Sequence, residues 1–234
     1  MMGPVLAMGL LLAGCVVPEQ PLGTQTAAPE RSDQVLADQA IRNFVDAVNA
    51  VGPVAEAYCR QRTRGASCDF QIVVDDRKDQ PANAFQTLDR RGNPVLGFTL
   101  ALIADARNVD ELAFVMGHEA AHHILGHIPQ TEQSAITGAL LGGILAAAGG
   151  GSPEAIEAAQ KAGATVGARR FSKGFELEAD ALGTEITERA GFSAIRGAQF
   201  FTRIPDPGDR FLGSHPPNRS RIETVRKVVA NLPR

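Results

Sequence analysis

The sequence is poor in aromatic residues and has no surplus of basic ones, and both deficits argue against the same class of protein. It contains no tryptophan, its aromatic content is 5%, and its formal net charge is -3. Nucleic-acid binding needs a basic surface or aromatic platforms on which bases stack, so we expect no nucleic-acid partner. The apolar N-terminal stretch, residues 3–14, is too short for a spanning helix, which needs about 20 apolar residues.

What the sequence does contain is the run H-E-A-A-H at residues 118–122. On a helix, residues four apart share a face, so His118 and His122 can bind one zinc ion while Glu119 activates a water molecule beside them. This is the chemistry of a metalloprotease.

The surrounding residues predict a helix over 109–127. Asn108 and Glu111 resemble a capping box, and apolar residues then recur at helical spacing at Leu112, Val115, Met116 and Ala120. At about 100° per residue, His123 and His127 lie about 140° and 180° around the helix from His118. We therefore assign these two histidines to packing, helix-end or surface roles.

A catalytic zinc needs a third protein ligand, and the segment F-E-L-E-A-D at 175–180 offers one. Glu176 and Asp180 are four residues apart on a predicted helix and share a face, whereas Glu178 points away. Glu176 is the candidate ligand, and Asp180 would accept the outer N–H of a ligand imidazole. A solvated acidic face is the alternative interpretation of the same spacing.

A third element is the histidine in Gly213-Ser214-His215-Pro216-Pro217. Two prolines after His215 make the segment stiff and non-helical, which is suited to holding one side chain in a fixed place.

In this order, HEAAH, FELEAD and SHPPNRSRI resemble the HtpX and Ste-type prenyl-protease family of gluzincin metallopeptidases, over residues 55–230. The resemblance implies a zinc site with His118, His122 and Glu176 as ligands and Glu119 as general base. It also implies that Asp180 is a carboxylate behind the ligands and that Arg221 lies near the site. His215 would stabilise the oxyanion or touch the metal. Asn83-Ala84-Phe85 matches the N-A-F of the family's edge strand, and we expect a peptide substrate to add as a strand beside it.

The N-terminus resembles that of a bacterial lipoprotein. Residues 1–14 end in Leu12-Ala13-Gly14, and Cys15 follows as in a lipobox, which implies cleavage before Cys15 and a lipid anchor on its thiol. Residues 15–33 are predicted as a flexible tether and 34–234 as one metallopeptidase domain. We expect a periplasmic protein, and the absence of Asp after Cys15, by its resemblance to enterobacterial lipoproteins, implies an anchor in the outer membrane.

The other two cysteines, Cys59 and Cys68, lie close together in the exported part of the chain, where an oxidising compartment favours their pairing as a disulfide. Metal ligation is the alternative, although the spacing C-x8-C is not one used for zinc.

The patterns predict an α+β fold, a mostly helical zincin-like domain with a small three- to four-stranded antiparallel sheet. A long helix is expected over 34–60, followed by the strands 69–75, 83–87 and 94–99. After the zinc helix, the Ala/Gly-rich segment 137–167 is predicted as a helical hairpin, which is suited to close packing and, as alternatives, to a mobile lid or a membrane-facing patch. A last helix is expected over 218–231.

The function that follows is a zinc-dependent endopeptidase of the cell envelope, with one Zn²⁺ per chain, acting on misfolded or unassembled envelope proteins. Its expected partners are polypeptide substrates, the membrane through the anchor at Cys15, and the envelope assembly machinery. Two alternatives stay open: a latent, chaperone-like lipoprotein with a closed zinc site, and a structural lipoprotein without metal. We expect neither the C-terminal repeats of BepA-type relatives nor the membrane helices of HtpX-type ones.

Overall fold

The computed structural model describes residues 28–170, 172–208 and 215–233, and it confirms a mostly helical α+β fold. The predicted signal peptide, Cys15 and the loop residues Gly213 and Ser214 lie outside this part of the chain. The elements in chain order are α1 (Ala28–Arg62), β1 (Gln71–Asp75), β2 (Ala84–Leu88), β3 (Pro94–Thr99), α2 (Leu100–Asp105), α3 (Val109–Ile124), α4 (His127–Ala148), α5 (Pro153–Arg170), α6 (Ser172–Arg189), α7 (Ala194–Gly197), a 3₁₀ helix (Ala198–Thr202) and α8 (Asn218–Asn231).

The sheet is mixed, so the prediction of a wholly antiparallel sheet is wrong in that respect. Its order is β1-β3-β2, with β3 parallel to β1 and antiparallel to β2. The chain leaves β1 at Asp75, passes to the far edge and forms β2, and then returns through a tight turn so that β3 fills the gap. The alternation of apolar residues within each strand indicates which face of the strand is buried. It does not indicate which strands are neighbours in the sheet, so the order could not be predicted from it.

The core lies between α1 and α3. Ala47, Val51, Ala55 and Cys59 follow one another at intervals of four on α1, and all are almost completely buried. This spacing makes one apolar stripe, which packs against α3. At the end of α1, Cys59 forms a disulfide with Cys68, with 5.6 Å between their Cα atoms, so the predicted pair is joined and neither cysteine is a metal ligand.

Helix α3 begins and ends at identifiable signals. The side chain of Asn108 accepts a hydrogen bond from the backbone N–H of Glu111 at 3.1 Å, as an N-cap does. The Glu111 carboxylate does not complete the predicted capping box: it accepts from the N–H of Arg107 and is held by the Arg203 guanidinium at 2.6 and 2.8 Å. The helix ends at Ile124, before the predicted residue 127, because Gly126 is left-handed with φ +69°.

Helices α3 and α6 cross at two glycines, and this crossing positions the site. A Cβ on Gly117 would lie 2.8 Å from the carbonyl oxygen of Gly183, and a Cβ on Gly183 would lie 2.8 Å from the backbone N of His118. Only glycine permits so close an approach of the two backbones. The N-terminal half of α6 is therefore held directly against the histidines of α3.

The predicted helical hairpin is formed by α4 and α5, and the two helices pack closely against each other. A Cβ on Gly138 would lie 2.1 Å from the carbonyl oxygen of Gly163, and the relation is reciprocal. The Oγ of Ser152 caps α5 by accepting from the N–H of Ala155 at 3.3 Å, and Pro153 is the first helical residue. The outer face of α4 exposes five large aliphatic side chains: Ile136, Leu140, Leu141, Ile144 and Leu145.

In the part of the chain that the structure describes, none of the helices combines the length and the apolar composition needed to cross a bilayer.

Candidate metal centre

Three side chains from α3 and α6 converge on one point. The Nε2 atoms of His118 and His122 are 3.1 Å apart, and the carboxylate oxygens of Glu176 lie 3.6 Å from the first and 3.4 Å from the second. For zinc bound at about 2.0–2.1 Å in a tetrahedron, the ligand atoms would be about 3.3–3.4 Å apart. The three donors therefore fit one metal ion, and among the described residues they form the group of His, Cys, Asp or Glu side chains that could hold one.

The protonation of these donors also fits a cation. The Nδ1 of His118 lies 2.9 Å from the Asp180 carboxylate, so this nitrogen carries a proton, and in the neutral imidazole the Nε2 then presents a lone pair to the site. The Oε2 of Glu176 is buried without a well-aligned hydrogen bond, although the Nδ1 of His215 lies 3.1 Å from it and the Nη2 of Arg221 lies 3.5 Å from it. An imidazole lone pair and a buried carboxylate oxygen that face each other are stabilised by a positive ion between them.

Asp180 is held from behind by Arg221, a residue of α8. The guanidinium donates from Nε and from Nη2 to the two oxygens of Asp180, each at 2.7 Å, and its Cζ lies 3.9 Å from the centre of the Phe201 ring. Both side chains of the ion pair are buried. Burial alone would raise the pKa of Asp180, but the hydrogen bonds from Arg221 and His118 outweigh it and hold that pKa below its usual value.

Glu119 lies beside the ligands, half-buried, in the wall of the cleft. Burial raises the pKa of its carboxyl above the ordinary value, although the neighbouring His118 and His122 act in the opposite direction. A carboxylate with a raised pKa accepts a proton more readily near neutral pH, which is what a general base requires.

His215 lies at the open side of the site. Its Nδ1 is 3.1 Å from the Oε2 of Glu176, and its side chain is 54% exposed. It stands outside the group of three converging ligand atoms.

The site opens into a cleft of about 750 Å³. Strand β2 borders it with Ala84 and Phe85, preceded by Asn83, and the lining also includes Ile128 of α4 and Phe175 of α6. The ring of Phe85 lies over Gly97 of β3, where a Cβ would come within 2.2 Å of it. The three residues predicted to bind substrate thus line the same cleft as the converging donors.

The sequence of residues 51–229 matches the model of Peptidase family M48. The chain belongs to peptidase family M48. The resemblance seen in HEAAH, FELEAD and SHPPNRSRI is confirmed, and with it the assignment to the metallopeptidases.

Two relatives of this M48 chain are named for β-barrel assembly. The putative beta-barrel assembly-enhancing protease of Vibrio cholerae is 36% identical over 148 residues, which is 56% of this chain and 30% of the relative. The beta-barrel assembly-enhancing protease of Yersinia pestis is 31% identical over 172 residues, 67% of this chain and 33% of the relative. The chain thus spans about a third of the length of either relative.

Sequence reasoning missed one residue of the M48 site. His127 is buried, and its Nδ1 lies 2.8 Å from the Nδ1 of His122, although a continuous helix would have placed it on the far side. Burial and the neighbouring His122 lower the pKa of His127 to about 4. The overlooked signal was Gly126, the residue just before His127, because its left-handed conformation separates α3 from α4. His123, by contrast, packs away from the site, with its Nε2 2.7 Å from the carbonyl oxygen of Ser67.

Proposed function

We propose that the chain is a zinc-dependent endopeptidase. The observation that carries this proposal is the convergence of two imidazoles and one carboxylate at 3.1 to 3.6 Å, beside a carboxylate that can act as base and inside a cleft large enough for a peptide. His118, His122 and Glu176 would hold one Zn²⁺. Bound there, zinc would supply Lewis acidity, which polarises a peptide carbonyl and makes water acidic near neutral pH.

The residues of the chain supply the remaining chemistry. Glu119 takes a proton from the attacking water and can pass it to the leaving amine. Asp180 keeps the proton of His118 on Nδ1, so that the Nε2 lone pair faces the metal. His215 is exposed to the cleft and within 3.1 Å of Glu176, a place from which its imidazole can donate to the oxyanion that forms during hydrolysis.

The edge of the sheet supports a mode of substrate binding. Among the described residues β2 pairs with β3 alone, so its outer edge offers unpaired backbone groups along the cleft. An extended peptide that lies beside Asn83, Ala84 and Phe85 and pairs with this edge gains affinity from main-chain hydrogen bonds, which depend little on sequence. The backbone N–H and C=O of Asn83 already bond to Thr99, so the pairing would use the residues of β2 itself. Such binding suits a protease that acts on many unfolded chains.

The location and the substrates are proposed on two grounds. The lipobox-like Leu12-Ala13-Gly14-Cys15 supports a periplasmic protein held by lipid on Cys15, in the outer membrane. The names of the two relatives refer to β-barrel assembly, and they support misfolded or unassembled envelope proteins as substrates and the assembly machinery as partner. Cys15→Ser should release the protein from membranes, and unchanged fractionation with an unmodified Cys15 by mass spectrometry would contradict the anchor.

The test of the proposed activity separates metal binding from proton transfer. The purified chain should bind about one zinc and cleave unfolded casein, and a chelator should abolish cleavage until zinc is restored. Glu119→Gln should keep the zinc and lose cleavage, whereas His118→Ala and Glu176→Ala should lose both.

His215→Ala should keep the zinc and lower kcat by roughly 10²- to 10³-fold, the usual effect of removing one oxyanion donor. A wild-type chain that binds zinc and cleaves nothing would instead favour the latent, chaperone-like alternative. A chain that binds no zinc would reject the proposal altogether.

A further inference from the structure

Behind His122, on the side away from Glu176, three groups form a chain of polar contacts. The Nδ1 of His122 lies 2.8 Å from the Nδ1 of His127, and the Nε2 of His127 lies 3.3 Å from the Oε2 of Glu178. The ring of His127 is stacked on that of Phe175, with centroids 4.3 Å apart and planes 14° from parallel. The ring is therefore held on its face by an aromatic neighbour and at both nitrogens by polar ones.

The backbone explains why His127 is there. An uninterrupted α3 would carry residue 127 to the side of the helix opposite the metal ligands. Instead α3 ends at Ile124, Gly126 adopts φ +69°, and His127 becomes the first residue of α4. The change of direction brings its imidazole back over His122, where it is buried.

The order of protons along this chain follows from the acceptor at its end. The carboxylate of Glu178 can only accept, so the Nε2 of His127 carries a proton. The Nδ1 of a neutral His127 is then an acceptor, and the proton between the two Nδ1 atoms belongs to His122. With its proton on Nδ1, His122 presents the lone pair of Nε2 to His118 and Glu176, as a metal ligand must.

We propose that His127 is a positioning residue of the metal centre, which fixes the tautomer and the ring orientation of His122 through the Nδ1–Nδ1 hydrogen bond. The inference rests on the proposed zinc site and deepens it. It assigns to His122 the support that Asp180 gives to His118, with a neutral imidazole in place of a carboxylate. Loss of such a support weakens metal binding by about 10- to 100-fold in other metal sites.

Three substitutions of His127 separate the hydrogen bond from the packing. Asparagine places its amide oxygen near the position of Nδ1, glutamine places its amide near the position of Nε2, and phenylalanine keeps the stacking on Phe175 without any acceptor. His123→Asn is the matched control, because His123 is the adjacent residue of the ligand His122 and contacts Ser67 and Phe70 instead of the site.

The experiment measures the zinc dissociation constant of each full chain by competition with a chromogenic chelator. The absorption spectrum of the Co²⁺-loaded protein reports ligand geometry, and thermal unfolding of the metal-free protein reports the fold. We expect His127→Phe and His127→Gln to raise the zinc Kd by about 10- to 100-fold and to alter the Co²⁺ spectrum. His127→Asn and His123→Asn should stay within a factor of about three of the wild type.

Each outcome decides one question. If wild type binds zinc and His127→Phe binds it equally tightly with an unchanged Co²⁺ spectrum, the role of His127 is refuted while the zinc site stands. The same holds if asparagine and glutamine variants weaken binding equally, since the effect then does not follow the Nδ1 position. If the wild type binds no zinc, the proposed function fails first and this inference fails with it.

Discussion

The two histidines of the site are supported from behind by different chemistry. His118 is supported by Asp180, a buried carboxylate that accepts two hydrogen bonds from the buried Arg221. His122 contacts His127, an imidazole whose other nitrogen faces a glutamate that is 61% exposed. A hydrogen bond to an ionised acceptor is roughly twice as strong as one between neutral groups. The His118 side is therefore strong and rigid, and the His122 side is weaker and nearer to solvent.

The two supports also differ in what their removal costs. Asp180 carries a charge in the interior, and burying that charge is tolerated only because its partners compensate for the lost hydration. His127 is neutral, so its loss leaves one donor of His122 unsatisfied and no unpaired ion. We expect defects on the Asp180 side to reach the fold, and defects on the His127 side to stay within the metal site.

The largest effect is expected from Arg221→Met, which leaves the Asp180 charge buried without its cation. We expect the metal-free protein to lose about 3 kcal/mol of unfolding free energy, the lower end of the roughly 3–5 kcal/mol seen when one partner of a buried pair is removed, because His118 still donates to Asp180. Urea unfolding measures this. Arg219→Met is the control on the same helix, since that side chain is 87% exposed. If the two variants were equally stable, the support of His118 would contribute no more to the stability of the fold than the support of His122.

A smaller effect is expected from Gly183→Ala, which acts on the crossing that brings Asp180 to His118. The new methyl group would lie 2.8 Å from the backbone N of His118, so α3 and α6 must separate. We expect a loss of about 1–3 kcal/mol, as for overpacked cores, together with weaker zinc binding. In Gly174→Ala, on the same helix, the methyl group meets nothing within 4 Å, so stability should be equal or slightly higher. Weak binding in both variants would speak against the crossing as the cause.

The features that the sequence predicted share a local cause. Residues four apart on a helix share a face, and this alone brought His118 to His122 and Glu176 to the same side of α6 as Asp180. The end of the last helix, at Asn231, was likewise predicted from the local sequence. The order of strands and the contact of His127 with His122 depend on where the backbone turns, and one left-handed glycine changed the second of them. The sequence contained Gly126, but its φ angle is decided by tertiary packing.

Gly126→Ala should therefore disturb the His127 side selectively. A left-handed conformation costs a residue with a Cβ roughly 1–2 kcal/mol, and any relaxation of φ moves His127 away from His122. Gly150→Ala is the matched control, because Gly150 has φ +75° at the tip of the hairpin, where a Cβ meets nothing within 4 Å. Both variants should lose similar stability in urea, but Gly126→Ala alone should bind zinc more weakly. Identical zinc affinities would show that this turn does not set the position of His127.

The smallest effect is expected from Glu178→Gln, at the outer end of the His127 chain. Glu178 reaches His127 at 3.3 Å from an exposed position, so water can replace it as the acceptor at little cost. The amide oxygen of glutamine can also accept from the Nε2 of His127, so the proton order along the chain is kept. We expect the zinc Kd to change by less than a factor of about two, which is small against the 10-fold or larger changes that follow loss of a buried support. If Glu178→Gln weakened zinc binding as much as His127→Phe, the charge of Glu178 would be essential, and the His122 side would depend on a carboxylate as the His118 side does.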